Sequence, residues 1–175
     1  MNIPSSRNPN LTSSVNPMLT SSINPRLTSS INPKLTSSIN PALTSSINPA
    51  LTSSINPKLT SSINYKLTSS KNPSLTSSIN PKLTSSINPN LSSNIRGLYL
   101  FDTSSNAIGF TVEVSSSYWL LFDPSCLFIG VAVGARANVF IEFNLNNDFV
   151  GFFVHARSQS WVRFDWNREW VGFTA

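Results

Sequence analysis

Few side chains in this sequence have the chemistry for catalysis, and their spacing limits what they could do. His155 is the single histidine and Cys126 the single cysteine. One imidazole and one thiol do not make a standard zinc site without distant carboxylates, and no intrachain disulfide is possible. A Cys126–His155 thiol dyad is formally available. The two residues fall in different repeat units, however, with Cys126 at a turn, so a bland buried cysteine is the simpler reading. Asp102, Asp123 and Asp165 recur at one place in a repeat, with Asn144 completing the series. As a ring of carboxylates they would suit a cation; as turn residues they would accept backbone N–H groups. The Asn in third place favours turns. No Gly-rich phosphate loop or nucleophile elbow is present, so the expectation is no enzyme, no metal and no cofactor.

The residues suited to binding are aromatic and cationic. Trp161, Arg163, Trp166, Arg168 and Trp170, with Phe149 and Phe153, make the candidate patch, since Trp and Arg dominate binding hot spots. An exposed aromatic face of this kind would meet a protein, a second copy of the chain, or a carbohydrate that stacks on planar rings.

Two elements must position these residues. All eleven Phe, all four Trp and every acid follow Arg96. Residues 1–96 carry eight Lys/Arg and no acid, whereas residues 97–175 carry four Arg against seven acids. The net charge of +5 therefore belongs to the first segment. Its cations are spread without clusters or interleaved aromatics, which argues against nucleic acid. Neither a signal-peptide core nor an apolar run of membrane-helix length is present. The default compartment is the cytoplasm, or export by a route that leaves no N-terminal mark.

From Asn8 to Ile95 the chain is eleven copies of an octad, Asn-Pro-x-Leu-Thr-Ser-Ser-Ile. Pro at this frequency excludes helix. If Leu-Thr-Ser-Ser-Ile is a strand and Asn-Pro-x a turn, Leu and Ile point to one face and would form the core of a β-solenoid. Against that, two apolar side chains per octad offset little of the backbone ordering cost. A disordered or partly extended arm, acting as linker or stalk, is the simpler expectation. A solenoid would also align its Thr residues into a ladder like those of ice-binding surfaces, although the paired-Thr pattern is absent. Two glycosylation sequons, at Asn10 and Asn90, would matter only in a secreted protein.

The second segment hides a fourfold repeat of 21 residues. Phe101, Phe122, Phe143 and Phe164 are in phase with Gly109, Gly130, Gly151 and Gly172. Each unit reads as a β-hairpin, with Thr103 to Asn106 the first turn. Pairing Asp102 with Ala107 would set Phe101 opposite Ile108 and Tyr99 opposite Phe110, on one inward face. The Leu100, Leu121, Glu142, Arg163 slot would point outward. A second aromatic face, Trp119, Phe140 and Trp161 with Phe128, Phe149 and Trp170, would be either another packing layer or the binding patch. The fold class is all-β: four hairpins closing into a small radial or barrel-like pseudo-fourfold assembly, preceded by the octad arm. The domains are 1–96 and 97–175.

With Leu-Tyr-Leu-Phe-Asp at 98–102 and Val-Gly-Phe at 171–173, the second segment resembles the four-fold β-flower, a family of small bacterial domains. That resemblance implies an all-β fold and no established activity, so no functional residue carries over. The functional expectation is a non-enzymatic interaction module displayed on a repetitive stalk. The alternative is a fibre or adhesin-like subunit with a solenoid shaft and a C-terminal tip.

Overall fold

In the computed structural model, which describes Pro9 and residues 12–93, 95–157 and 159–175, the recurring Asp/Asn closes four like hairpins. The Asp102 carbonyl accepts from Ser105 N–H while the Asp102 N–H donates to the Asn106 carbonyl. Asp102 Oδ1 meanwhile accepts from the Ser104 and Asn106 amides. Asp123, Asn144 and Asp165 repeat the arrangement with Cys126, Asn147 and Arg168. This is a type I turn followed by a left-handed residue, and Ser105, Cys126, Asn147 and Arg168 have φ of 64–71°.

The strands so joined are β1 (Tyr99–Asp102), β2 (Ala107–Ser115), β3 (Tyr118–Phe122), β4 (Phe128–Arg136), β5 (Val139–Asn144), β6 (Phe149–Arg157), β7 (Ser160–Asp165) and β8 (Trp170–Thr174). Each pairs antiparallel with the next, and β8 returns to β1, closing an eight-stranded barrel. Closure leaves no free strand edge. Among the described residues no helix is long and apolar enough to cross a membrane.

Register keeps part of the expected pairing and corrects the rest. Tyr99 faces Phe110 as expected and Leu100 faces Gly109, but Phe101 faces Ala107 rather than Ile108, so Ile108 is an extra residue in a bulge. Ile129, Val150 and Val171 bulge likewise. Each bulge restores the parity of the residue before it, so that Phe128, Phe149 and Trp170 sit beside Phe122, Phe143 and Phe164 rather than on the opposite face.

The expected inward and outward faces are reversed. Trp119 on β3 meets Trp161 on β7 with ring centroids 5.1 Å apart, a contact possible only across the lumen. The lumen therefore takes Leu98, Trp119, Phe140 and Trp161, then Leu100, Leu121, Glu142 and Arg163. The four Phe of the 21-residue series lie on the outside, where their rings meet aromatic neighbours on their own and adjacent strands and, for Phe143, Tyr65 of the octads. They are nonetheless 1–2% exposed, because the octads cover them.

The octads are not strands. Asn-Pro-x-Leu is a turn, and Ser-Ser-Ile, from Ser13–Val15 to Ser85–Ile87, forms single 3-10 turns. Period-two alternation therefore does not apply, and the core expected from Leu plus Ile comes apart. Ile31, Ile39, Ile47 and Ile55 are buried, while the leucines from Leu19 to Leu91 are 67–71% exposed. Asn holds the row together. Its Oδ1 accepts from the amide two residues on, as in Asn24 with Arg26, and at Asn16, Asn24, Asn48, Asn64 and Asn88 its Nδ2 also donates to the Pro carbonyl of the preceding octad. Each Thr hydroxyl from Thr20 to Thr84 donates to the preceding octad's first Ser carbonyl. That leaves the Thr series committed to the backbone, not a free ladder of hydroxyls. Asn10 and Leu11 of the first sequon, and Met1 to Arg7, lie outside the described residues.

The row bends round the barrel against strand order. Its turn Ser29–Ile31 lies on β6 and β7, Ser53–Ile55 and Ser61–Ile63 on β4, and Ser85–Ile87 on β2. Ile39 to Ile95 join Phe101, Phe122, Phe143 and Phe164 in one buried cluster. Two of the octad positions that depart from the pattern touch the barrel: Tyr65, in a Pro slot, packs on Phe143 at 5.8 Å, and the carbonyl of Lys71, in an Ile slot, accepts from the Tyr118 hydroxyl at 2.7 Å. Burial, with the neighbouring Tyr65 adding to it, pushes the Tyr118 phenol well above its ordinary pKa.

The repeated glycines mark where strands approach most closely. A Cβ on Gly130 would fall far inside contact distance of the Phe143 carbonyl oxygen, a backbone atom that cannot swing aside. Gly130→Ala is expected to cost about 3 kcal/mol, the upper range for overpacking. Thermal unfolding of the variant checks this, and an unchanged midpoint would mean the strands can part there freely.

Candidate functional site

The expected patch is divided by the barrel wall. Phe153, Trp161 and Arg163 belong to the lumen. Phe149, Trp166, Arg168 and Trp170 stand outside, at or near the turn end of the barrel, where Lys58 lies over the Trp166 ring at 4.4 Å. Phe149 meets Trp166 edge-on, and Trp170 packs on the covered outer cluster. An open cleft of about 410 Å³ runs between Lys58, Asp148, Phe149 and Trp166.

The larger cavity is at the other end. There Trp119 and Phe140 stack with centroids 3.9 Å apart, and Trp161 stands at right angles to both, at 5.1 Å. These three rings, with Leu98, supply the apolar part of a cavity of about 480 Å³ at the barrel mouth. Arg96, Thr111, Glu113, Ser116 and Gln159 supply its polar part. Strand pairing fixes the arrangement. Trp119 pairs with Glu113 across β2–β3 and Trp161 with His155 across β6–β7, so each ring stands beside a polar neighbour at the rim. The His155 ring rests against Trp161 at 4.9 Å.

Beneath this floor lies an ion pair. Arg163 donates from Nε and Nη2 to both carboxylate oxygens of Glu142, at 2.8 and 2.7 Å. Burial alone would favour a neutral guanidine, but the Glu142 carboxylate holds the proton on and raises the Arg163 pKa. The fork geometry fixes both side chains across the lumen.

The remaining candidates do not converge. Cys126 is buried in a turn at one end of the barrel, and His155 is near the mouth at the other. Oδ1 of each of Asp102, Asp123, Asn144 and Asp165 accepts from backbone amides within its own turn. For Asp102, burial works against the charged form, but bonds from Asn106 and Ser104 and the charge of Arg26 prevail and hold its pKa below the ordinary value. No group of three metal-ligating side chains gathers among the described residues.

Sequence reasoning missed most of the mouth. Trp119 and Phe140 were visible as the same slot as Trp161, 21 residues apart. Arg96, Glu113 and Gln159 carried no such signal, because their place depends on the closure of the barrel. No family model, no curated protein and no solved structure matches this chain. The likeness to the four-fold β-flower thus rests on its short repeated motif.

Proposed function

We infer that this protein is a non-enzymatic binding module that takes a carbohydrate ring at the barrel mouth. The observation that supports this reading is the mixed lining of the mouth cavity. A flat apolar group there would lie against Trp161, while Arg96, Glu113 and Gln159 offer charged and amide groups to hydroxyls, the usual division of labour in a small-ligand site. Binding without turnover is favoured by the lining too. Glu113 is its single carboxylate among the described residues, and glycoside hydrolysis ordinarily takes two.

The test is a glycan array followed by titration calorimetry, on wild type and on Arg96→Ala and Gln159→Ala. These substitutions leave the aromatic floor intact, so folding is preserved. The expected result is retention of a defined glycan class and a loss of affinity of about tenfold per variant, the value of one or two hydrogen bonds to a ligand. Retention of no glycan, or wild-type affinity in both variants, defeats the reading.

The fibre or adhesin-like reading has one observation in its favour. The Thr hydroxyl bonds between octads recur at every copy from Thr20–Ser13 to Thr84–Ser77, so such a row can be lengthened copy by copy. It requires the octads to leave the barrel and form a shaft, which electron microscopy of the full chain would show as rods.

A further inference from the structure

Each octad presents two edges to solvent. Its Ser-Ser edge lies toward the barrel mouth, where Arg136 and Arg157 donate to the Ser46 and Ser22 carbonyls. Its x–Leu edge lies toward the turn end, as Lys58 over Trp166 shows, and the charge of Arg26 acts on Asp102 there. The exposed large apolar side chains among the described residues all belong to this end. They are Met18, the ten leucines from Leu19 to Leu91, and Leu127, Ile129, Leu145 and Trp166 in or beside the hairpin turns. Ten leucines stand 67–71% exposed at one repeated position along this edge, and large apolar side chains bared together in this way mark an interaction surface.

We propose that the x–Leu edge of the octads is a docking surface for an anionic lipid bilayer, with the leucines entering the interface and the adjacent cations meeting headgroups. Charge selects this occupant. The slots just before five of these leucines hold Arg26, Lys34, Lys58, Lys66 and Lys82, all exposed, and the octads contain no acid. An apolar ridge with flanking Lys and Arg has the chemistry of interfacial membrane binding. A second copy docked ridge to ridge would bring like charges together. The acids at the same end, Asp102, Asp123 and Asp165, are engaged by backbone amides of their turns, while Asp148 and Glu169 stand at the hairpin tips.

The probe is vesicle co-sedimentation of the full chain, with phosphatidylcholine alone and with about one third phosphatidylserine added, an anionic fraction that gives a clear surface potential. Two variants accompany wild type: one with Leu27, Leu35, Leu59 and Leu67 changed to Ser, and one with Lys34, Lys66 and Lys82 changed to Gln. All seven side chains are exposed, and circular dichroism checks that the fold is kept. The expected result is preferential binding to the anionic vesicles. Partitioning should fall by about tenfold or more in the Leu variant, and by less in the Lys variant, whose residual binding should be less sensitive to salt than that of wild type. Equal sedimentation with both vesicle types, or with neither, overturns the proposal. So does a full-chain oligomer that the Leu variant dissociates while vesicle binding is unchanged.

Discussion

A chain reduced to residues 97–175 should not remain a folded monomer. The barrel by itself is complete in hydrogen bonds, since β8 pairs back to β1. Its outer wall, however, carries Tyr99, Phe101, Phe110, Phe122, Phe143, Phe152, Phe164 and Phe173, each no more than 7% exposed in the full chain. Their rings run along the wall, and Ile39 to Ile95 and Tyr65 lie over them in one cluster. Stripping the cover from half a dozen such side chains, at about 2 kcal/mol each, matches the whole net stability of an ordinary domain, about 5–15 kcal/mol. Light scattering after size exclusion should show aggregates or multimers, with dye binding to the exposed wall. Adding residues 1–96 in trans should reduce both signals, because Tyr118 and Arg136 retain the carbonyl partners that seat the octads. A monodisperse, thermally stable 97–175 with no dye binding would show that the octads are not structural cover.

What the sequence allowed and withheld follows from the kind of regularity each part has. The four hairpins were legible because turn chemistry is local. Asp102 and its counterparts bind amides two and four residues on, and a 21-residue phase carries that rule through each unit. Which face became the lumen was not legible. The wall is apolar on both sides, so alternation gives two faces without a sign, and only the octads' isoleucines decide which side is covered. The bulges at Ile108, Ile129, Val150 and Val171 then moved Phe149 and Trp170 away from Trp161 and broke up the expected patch. In the octads the solenoid alternative, weighed against a disordered or partly extended arm, went astray for a different reason. Leu and Ile were assigned to one face by strand parity, whereas the Asn side chain, as an acceptor two residues on and a donor to the previous octad, stabilises turns instead. The departures from consensus proved more telling than the consensus itself. Tyr65 and Lys71 are where the row meets Phe143 and Tyr118.

The lumen slot shared by Leu100, Leu121, Glu142 and Arg163 yields the sharpest expectation. Two units fill it with leucine and two with an ion pair, at equivalent places in one barrel. Glu142→Leu alone would leave the Arg163 guanidinium charged among Trp161, Phe153 and Leu100. Removing one partner of a buried pair costs about 3–5 kcal/mol, and the lower figure applies because a quarter of the Arg163 side chain still reaches solvent. The double variant Glu142→Leu, Arg163→Leu removes both charges and repeats the solution already present in the first two units. Replacing a buried pair by apolar side chains of similar volume is commonly neutral or stabilising, so the double variant should recover most of the loss. Denaturant unfolding of wild type, both single variants and the double gives the coupling directly. A deep loss in each single variant, with recovery in the double, would show that the pair serves lumen packing and nothing else. The reading fails if the double variant is as unstable as the worse single one. In that case the fork between Glu142 and Arg163 is what holds β5 and β7 at their distance, and with it the Phe140–Trp161 contact on which the mouth cavity is built.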